Sequence, residues 1–178
     1  MTRFVVFLRG INVGGHRKIK MAELKQLHEK MGHKNVATYL QSGNAVFDSS
    51  DTDRTKLIGA IEQEYRSQLE IDTHVILRDT EEIASAIAKL PFPLNEEREP
   101  KFLHGIFLSE TPDSEMIKTL MQYKGPEEIQ IIGDVLYVYY TEGSGRSKFN
   151  LTLIEKNLKV KGTARNWNSV RKILELMV

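Results

Sequence analysis

The chain is predicted to be an α+β protein of two tandem ferredoxin-like subdomains, each a β-α-β-β-α-β series with an antiparallel sheet, plus an extra C-terminal helix. Three observations predict it. A strand-helix-strand-strand-helix-strand order is legible in the hydrophobic pattern before residue 90. The same order restarts at Phe102. Between them, residues 91–101 carry three prolines and no hydrophobic period, as a linker would. The expected organisation is 1–90 for the first subdomain, 91–101 for the linker and 102–178 for the second subdomain with its extra helix.

Phe4 to Leu8 is a short continuous apolar run, read as a buried strand. Met21, Leu24, Leu27 and Met31 fall on one helical face, and Gly32 supplies the stop. Val36–Leu40 and Asn44–Phe47 read as strands joined by Gln41-Ser42-Gly43, with glycine at the turn. Leu57, Ile58, Ile61, Tyr65 and Leu69 mark a second helix, and Thr73 to Leu77 a strand. Asp79 and Glu82 have the spacing of a capping box, opening a helix through Ile83, Ile87 and Leu90.

In the second half, Phe102–Leu108 is read as a strand, and Thr111-Pro112 as the opening of a helix carrying Met116, Ile117, Leu120 and Met121. Ile129–Ile132 and Val135–Tyr140 flank Gly133-Asp134, a second hairpin. Leu151, Ile154 and Leu158 mark the next helix, and Val160–Thr163 its closing strand. The last helix runs through Trp167, Val170, Leu174 and Met177.

The 178 residues are 40% hydrophobic and 28% charged, the composition of a globular chain. There is no cysteine, which excludes a disulfide framework, a cysteine zinc site, an iron–sulfur cluster and a thiol nucleophile together. The N-terminal apolar run stops after five residues, too short for a signal peptide or a membrane span, so a cytoplasmic protein with no membrane partner is expected. The net charge of +1 conceals an asymmetry. Residues 1–50 carry +5 and residues 151–178 carry +4, against −6 for 51–100 and −2 for 101–150. Either the basic ends converge on an anionic ligand, or these are solvated faces that complement the acidic middle.

The candidate site is the glycine-rich basic loop after the first strand, Arg9 to Lys20. Gly10, Gly14 and Gly15 allow backbone N–H groups to approach a ligand, and a helix start follows. Arg9, Arg17, Lys18 and Lys20 add cations, with His16 and Asn12 as further donors. This chemistry suits a phosphate or carboxylate. The competing reading is a tight strand-to-helix connection. Gly10 and Gly15 have Walker spacing, but His16-Arg17 stands where Lys-Ser/Thr is required, so no nucleotide cofactor is implied. Ser42 and Asn44 are candidates to face the same edge, unless Ser42-Gly43-Asn44 is only a hairpin turn. Arg165 and Asn166 are candidates for a further anion contact, with Trp167 as a stacking surface; alternatively Asn166 caps the last helix and Trp167 packs in the core. Gly143 to Lys148 is a basic turn of the same ambiguous kind. The five histidines show no ligand spacing and read as surface or satisfied groups, with no metal.

Leu8-Arg9-Gly10-Ile11-Asn12-Val13-Gly14-Gly15, then Lys18-Ile19-Lys20-Met21, Thr38-Tyr39-Leu40-Gln41-Ser42-Gly43-Asn44, and Ala164-Arg165-Asn166-Trp167-Asn168-Ser169-Val170 resemble the recurrent motifs of the bacterial family designated domain of unknown function 1697. The resemblance spans essentially the whole chain and implies two α+β subdomains; it implies no activity. Three functions fit the residues: binding of a small phosphorylated or carboxylated molecule; binding of nucleic acid, with Tyr137, Tyr139 and Tyr140 as stacking groups unless they serve strand packing; or hydrolysis of a phosphate ester or acylphosphate, with Arg9, Asn12 and Asn44 reminiscent of acylphosphatases although the loop does not match theirs residue for residue.

Overall fold

The structure is a computed structural model that describes residues 1–11 and 18–178. The fold is α+β, with two four-stranded antiparallel sheets. Two compact units divide the chain, one of Met1–Ala84 with Ile173–Val178 and the other of Ser85–Lys172.

The first unit contains β1 (Thr2–Leu8), α1 (Met21–Lys30), β2 (Lys34–Thr38), β3 (Asn44–Ser49), α2 (Arg54–Leu69) and β4 (Val75–Asp79), after which α3 (Thr80–Ala88) begins. Its sheet order is β2-β3-β1-β4. Phe4, Val6 and Leu8 alternate along one face of β1 and pack with Phe47, Leu77, Leu24, Ile61 and Tyr65. Val5 and Phe7 on the opposite face are buried too, which is why the apolar run of β1 is continuous and does not alternate. α1 stops where expected: Met31 closes the last turn and Gly32 takes φ +88°, a left-handed conformation that glycine enters freely.

The second unit contains β5 (Leu103–Leu108), α4 (Ser114–Leu120), β6 (Glu128–Ile132), β7 (Val135–Tyr139), α5 (Leu151–Leu158), β8 (Gly162–Asn166) and the start of α6 (Trp167–Met177). The sheet order β6-β7-β5-β8 repeats that of the first unit. Ile106, Leu108, Leu136, Val138, Phe149 and Ile154 form its core.

The repetition reaches individual hydrogen bonds. The first residue of β4, Val75, donates its N–H to Glu62 Oε1 of α2 at 3.0 Å; the first residue of β8, Gly162, donates to Glu155 Oε1 of α5 at 3.0 Å. Leu8 N bonds Gly43 O of one hairpin, and Leu108 N bonds Asp134 O of the other, both at 2.9 Å. Arg78 and Arg165 each occupy the penultimate position of the last strand, are 5% exposed, and donate Nη1 to the carbonyl of the preceding residue. The strand then passes directly into a helix capped by the next residue. Asp79 Oδ1 accepts from Glu82 N while Glu82 Oε2 accepts from Asp79 N, a complete capping box. Asn166 Oδ1 accepts from Asn168 N at the start of α6.

Two element bounds differ from expectation. α4 begins at Ser114 with Asp113 as its cap, because the Asp113 carboxylate is the acceptor that the N–H of Glu115 finds; Pro112 lies before the helix. β8 runs Gly162–Asn166, since Lys159 turns left-handed to cap α5 and Val160 is used in that turn. Residues 91–101 fall within the second unit, where Arg98 makes a two-pronged ion pair with Glu128 and Glu97 O accepts from Tyr139 Oη. No helix among the described residues is long and apolar enough to cross a membrane.

Gly43 is the tightest turn position. At φ +80°, an added Cβ would stand 2.5 Å from Ile11 Cδ1 and 3.0 Å from Leu8 Cβ. Gly43→Ala is expected to lower stability by about 2 kcal/mol, from backbone strain plus displacement of Ile11. Urea unfolding checks this; an unchanged midpoint would show that the turn relaxes freely.

Candidate functional site

The start of the basic loop is held against the β2–β3 hairpin. Leu8 N bonds Gly43 O, Ile11 lies buried over Gly43, and Arg9 O accepts from Thr73 Oγ1 at 2.6 Å. Arg9, Gly10, Ser42 and Asn44 therefore belong to one edge of the first unit. Gly10 takes φ +66° with open space where a Cβ would be. Asn44 is fully buried and closes the hairpin, its Nδ2 donating to Tyr39 O at 2.6 Å and to Ser42 Oγ at 3.1 Å. Asn12, Gly14, Gly15, His16 and Arg17 lie outside the described residues.

The chain is described again from Lys18. Ile19 is 5% exposed and anchors the end of the loop in the core, while Lys18 and Lys20 on either side are exposed. Lys20 O accepts from Leu24 N, so α1 starts immediately. A cavity of about 420 Å³ opens here, between α1 and the C-terminal end of α2. Lys18 and Lys30 supply its cations and Glu23 and Glu70 its carboxylates. Gln26, Ser67 and Gln68 complete the polar wall. Glu23, Gln26 and Lys30 share a helix face because they are spaced by three and four. The last carbonyls of α2 carry the negative end of its dipole toward the same wall.

In the second unit, Arg165 is buried, and burial draws its guanidinium well down from the ordinary arginine range, to about 9. Its Nη1 donates to Thr163 Oγ1 at 2.7 Å. Asn166 Nδ2 donates to Lys101 O at 2.8 Å while its Oδ1 caps α6. Trp167 is 1% exposed, which removes it as a stacking surface. Tyr137, Tyr139 and Tyr140 are core residues as well, with Tyr137 Oη donating to Ala86 O and Tyr140 Oη to Phe149 O, so their rings are not open to bases. In the turn that follows, Ser147 Oγ bonds Glu127 and accepts from Phe149 N.

The cavity residues of α1 and α2 were not legible as a site, because no motif links residues 18–30 to 67–70. A buried polar chain was missed for a similar reason. His28 Nδ1 lies 2.9 Å from His33 Nδ1, and His28 Nε2 lies 2.5 Å from Tyr65 Oη. A spacing of five puts two residues off a common helical face, but the left-handed Gly32 turns the chain back and brings His33 onto His28. Among the described residues no group of three or more His, Cys, Asp or Glu is placed to hold a metal ion.

No functionally curated protein matches the chain. Among solved structures, the conserved bacterial protein SP0830 from Streptococcus pneumoniae is similar over 99% of both chains, with 23% identity and a TM-score of 0.77. At that identity the likeness shows a shared fold. Residues 1–137 match the family described as protein of unknown function (DUF1697), and the chain belongs to that family.

Proposed function

We propose that the chain binds a small phosphorylated or carboxylated ligand with its first unit, at the end of the basic loop. The supporting observation is the cavity of about 420 Å³ whose wall begins at Lys18, within the range that holds a metabolite-sized molecule. Lys18 and Lys30 receive the anionic group. Glu23, Glu70 and the carbonyl end of α2 accept from hydroxyl or amino groups elsewhere on the ligand. A sugar phosphate or an amino-acid-like molecule has both kinds of group; a bare anion has only one. Arg9, Gly10 and the segment 12–17 complete the loop side of the proposal. Each unit is read as ferredoxin-like, which the strand order with strands one and three central supports.

Thermal unfolding with a panel of phosphorylated and carboxylated metabolites tests the proposal. One chemical class is expected to stabilise the protein by about 3 kcal/mol at a hundredfold excess over its dissociation constant. Lys18→Ala and Lys30→Ala are each expected to weaken that response at least tenfold. A panel with no stabilising member, or a response that survives both substitutions, would overturn it.

A further inference from the structure

We propose that the first unit carries a second, smaller ligand site, a pocket that binds one oxyanion head, carboxylate or phosphate, on the Nε2–H of His33. The pocket is a cavity of about 210 Å³. Met31, Gly32 and His33 form one wall, Ser49 to Asp51 a second, and Lys56, Leu57 and Ala60 of the first turns of α2 a third. It shares no lining residue with the cavity at Lys18.

The direction of the donor follows from counting hydrogen-bond groups. Tyr65 is fully buried, and among the described residues His28 Nε2 is the partner of its hydroxyl. A buried O–H with no acceptor costs about 1–3 kcal/mol, whereas an unused lone pair costs less, so Tyr65 donates to His28 Nε2. A neutral imidazole carries one N–H, which in His28 must then sit on Nδ1. That N–H donates across the 2.9 Å gap to His33 Nδ1. His33 in turn holds its own proton on Nε2. This nitrogen lies on the side of the ring away from His28, and it has no protein partner among the described residues. His33 is only 7% exposed and lines the cavity. Its ring is stacked on Phe47, with centroids 4.1 Å apart and planes at 12°, so the donor is held in direction as well as in tautomer.

The surroundings suit an anion. Lys56 Nζ pairs with Asp51 Oδ2 at 2.9 Å, but its side chain is 73% exposed and can turn to a ligand. Ser49 Oγ accepts from Asp51 N, leaving its O–H to donate, and Ser50 offers a second hydroxyl. The Asp51 carboxylate keeps the N–H of Asp53 as a donor when Lys56 turns. The wall from α2 presents the positive end of that helix. A volume below the usual range for whole ligands matches one head group on a short stem.

Nuclear magnetic resonance on the full chain tests both parts. Long-range proton–nitrogen spectra are expected to show His33 as the Nε2–H tautomer and His28 as the Nδ1–H tautomer. Inorganic phosphate and acetate, titrated separately, are expected to shift the His33 ring signals saturably, and the tighter of the two identifies the head group. Tyr65→Phe removes the donor that sets the chain of tautomers, and affinity is expected to fall about tenfold although Tyr65 does not line the cavity. Lys18→Ala is expected to leave the titration unchanged, which separates this pocket from the larger cavity. An Nδ1–H tautomer at His33, or no shift with either anion, overturns the proposal. Wild-type affinity in a folded Tyr65→Phe variant does the same, and the tautomer measurement on the unaltered chain stands if that variant fails to fold.

Discussion

Acidification from pH 6.5 to pH 4 is expected to remove about 3 kcal/mol of stability through His28 alone. The ring is fully buried, and burial first, then the neighbouring His33, pushes its pKa from 6.5 down to about 3. A protonated His28 would also lose its bond to the Tyr65 hydroxyl, which donates to the nitrogen the proton would take. The unfolded chain takes up its proton near pH 6.5, whereas the folded chain resists until about pH 3. Throughout that window the unfolded state binds more protons. The stabilisation is therefore complete above pH 6.5, declines as the pH falls, and is exhausted near pH 3. The gap of about 3.5 pH units, at about 1.4 kcal/mol each, amounts to about 5 kcal/mol at its full extent. Burial lowers the pKa of His33 as well, so it adds a decline of the same sign.

The window differs from that of two paired carboxylates. Asp48 is held below its usual range by Asn35 and Arg3, and Asp51 by Lys56 and Asp53, so their losses come at still lower pH. Urea unfolding of the intact chain at pH 7, 5.5 and 4 measures the slope. In His28→Gln the stability at pH 7 is expected to be lower but its decline toward pH 4 much shallower. Equal declines in the two proteins would show that His28 is not the group responsible.

The legible parts of the sequence were those governed by neighbours along the chain. Leu24 and Leu27 with Gly32, or Asp79 with Glu82, encode their elements within one or two turns, and α1 and the α3 capping box stand where those residues place them. The repeated element order was legible for the same reason, as each hairpin carries its own glycine at positive φ, Gly43 and Gly133. Bounds failed where two local signals compete. Val160 reads as a strand residue by propensity, yet the left-handed cap at Lys159 consumes it, and β8 starts later and runs on through Arg165. In α6 the fully buried Ile173 was passed over for Leu174, which is half-buried; the two are adjacent on the helix, and only packing chooses between them.

The candidate sites were less legible because they are made of distant residues. Lys18 was identified from the basic loop, but its partners across the cavity, Ser67, Gln68 and Glu70, end a helix some fifty residues later and form no motif with it. Asn44 and Asn166 illustrate the converse. Both are polar residues beside glycine or arginine, a pattern that suggests a ligand. Both also have amides engaged with backbone, Asn44 within its hairpin and Asn166 at the cap of α6 and on Lys101 O. Short polar side chains at turns and helix starts satisfy backbone groups first, and residue type alone does not separate that use from ligand binding.

Replacing Trp167 with alanine is expected to destabilise the second unit by about 4 kcal/mol, the range for removing a large aromatic from a core. The indole is 1% exposed and begins α6 at the end of β8. It lies over Gly105 of β5, where a Cβ would come within 3.1 Å of Cζ3, so the strand supplies the space by having no side chain. On another side it meets the Tyr137 ring, with centroids 5.7 Å apart at 58°. Tyr137 is itself held by its bond to Ala86 O, so the surroundings have little freedom to collapse into the void. Trp167→Phe keeps a ring over Gly105 and is expected to lose less than half as much. The comparison is made by circular dichroism during urea unfolding, because the substitution removes the single tryptophan that fluorescence would follow. A cost below about 1 kcal/mol for the alanine variant would mean that β5 and β7 close over the vacated space, and that the glycine at position 105 is not there to seat the indole.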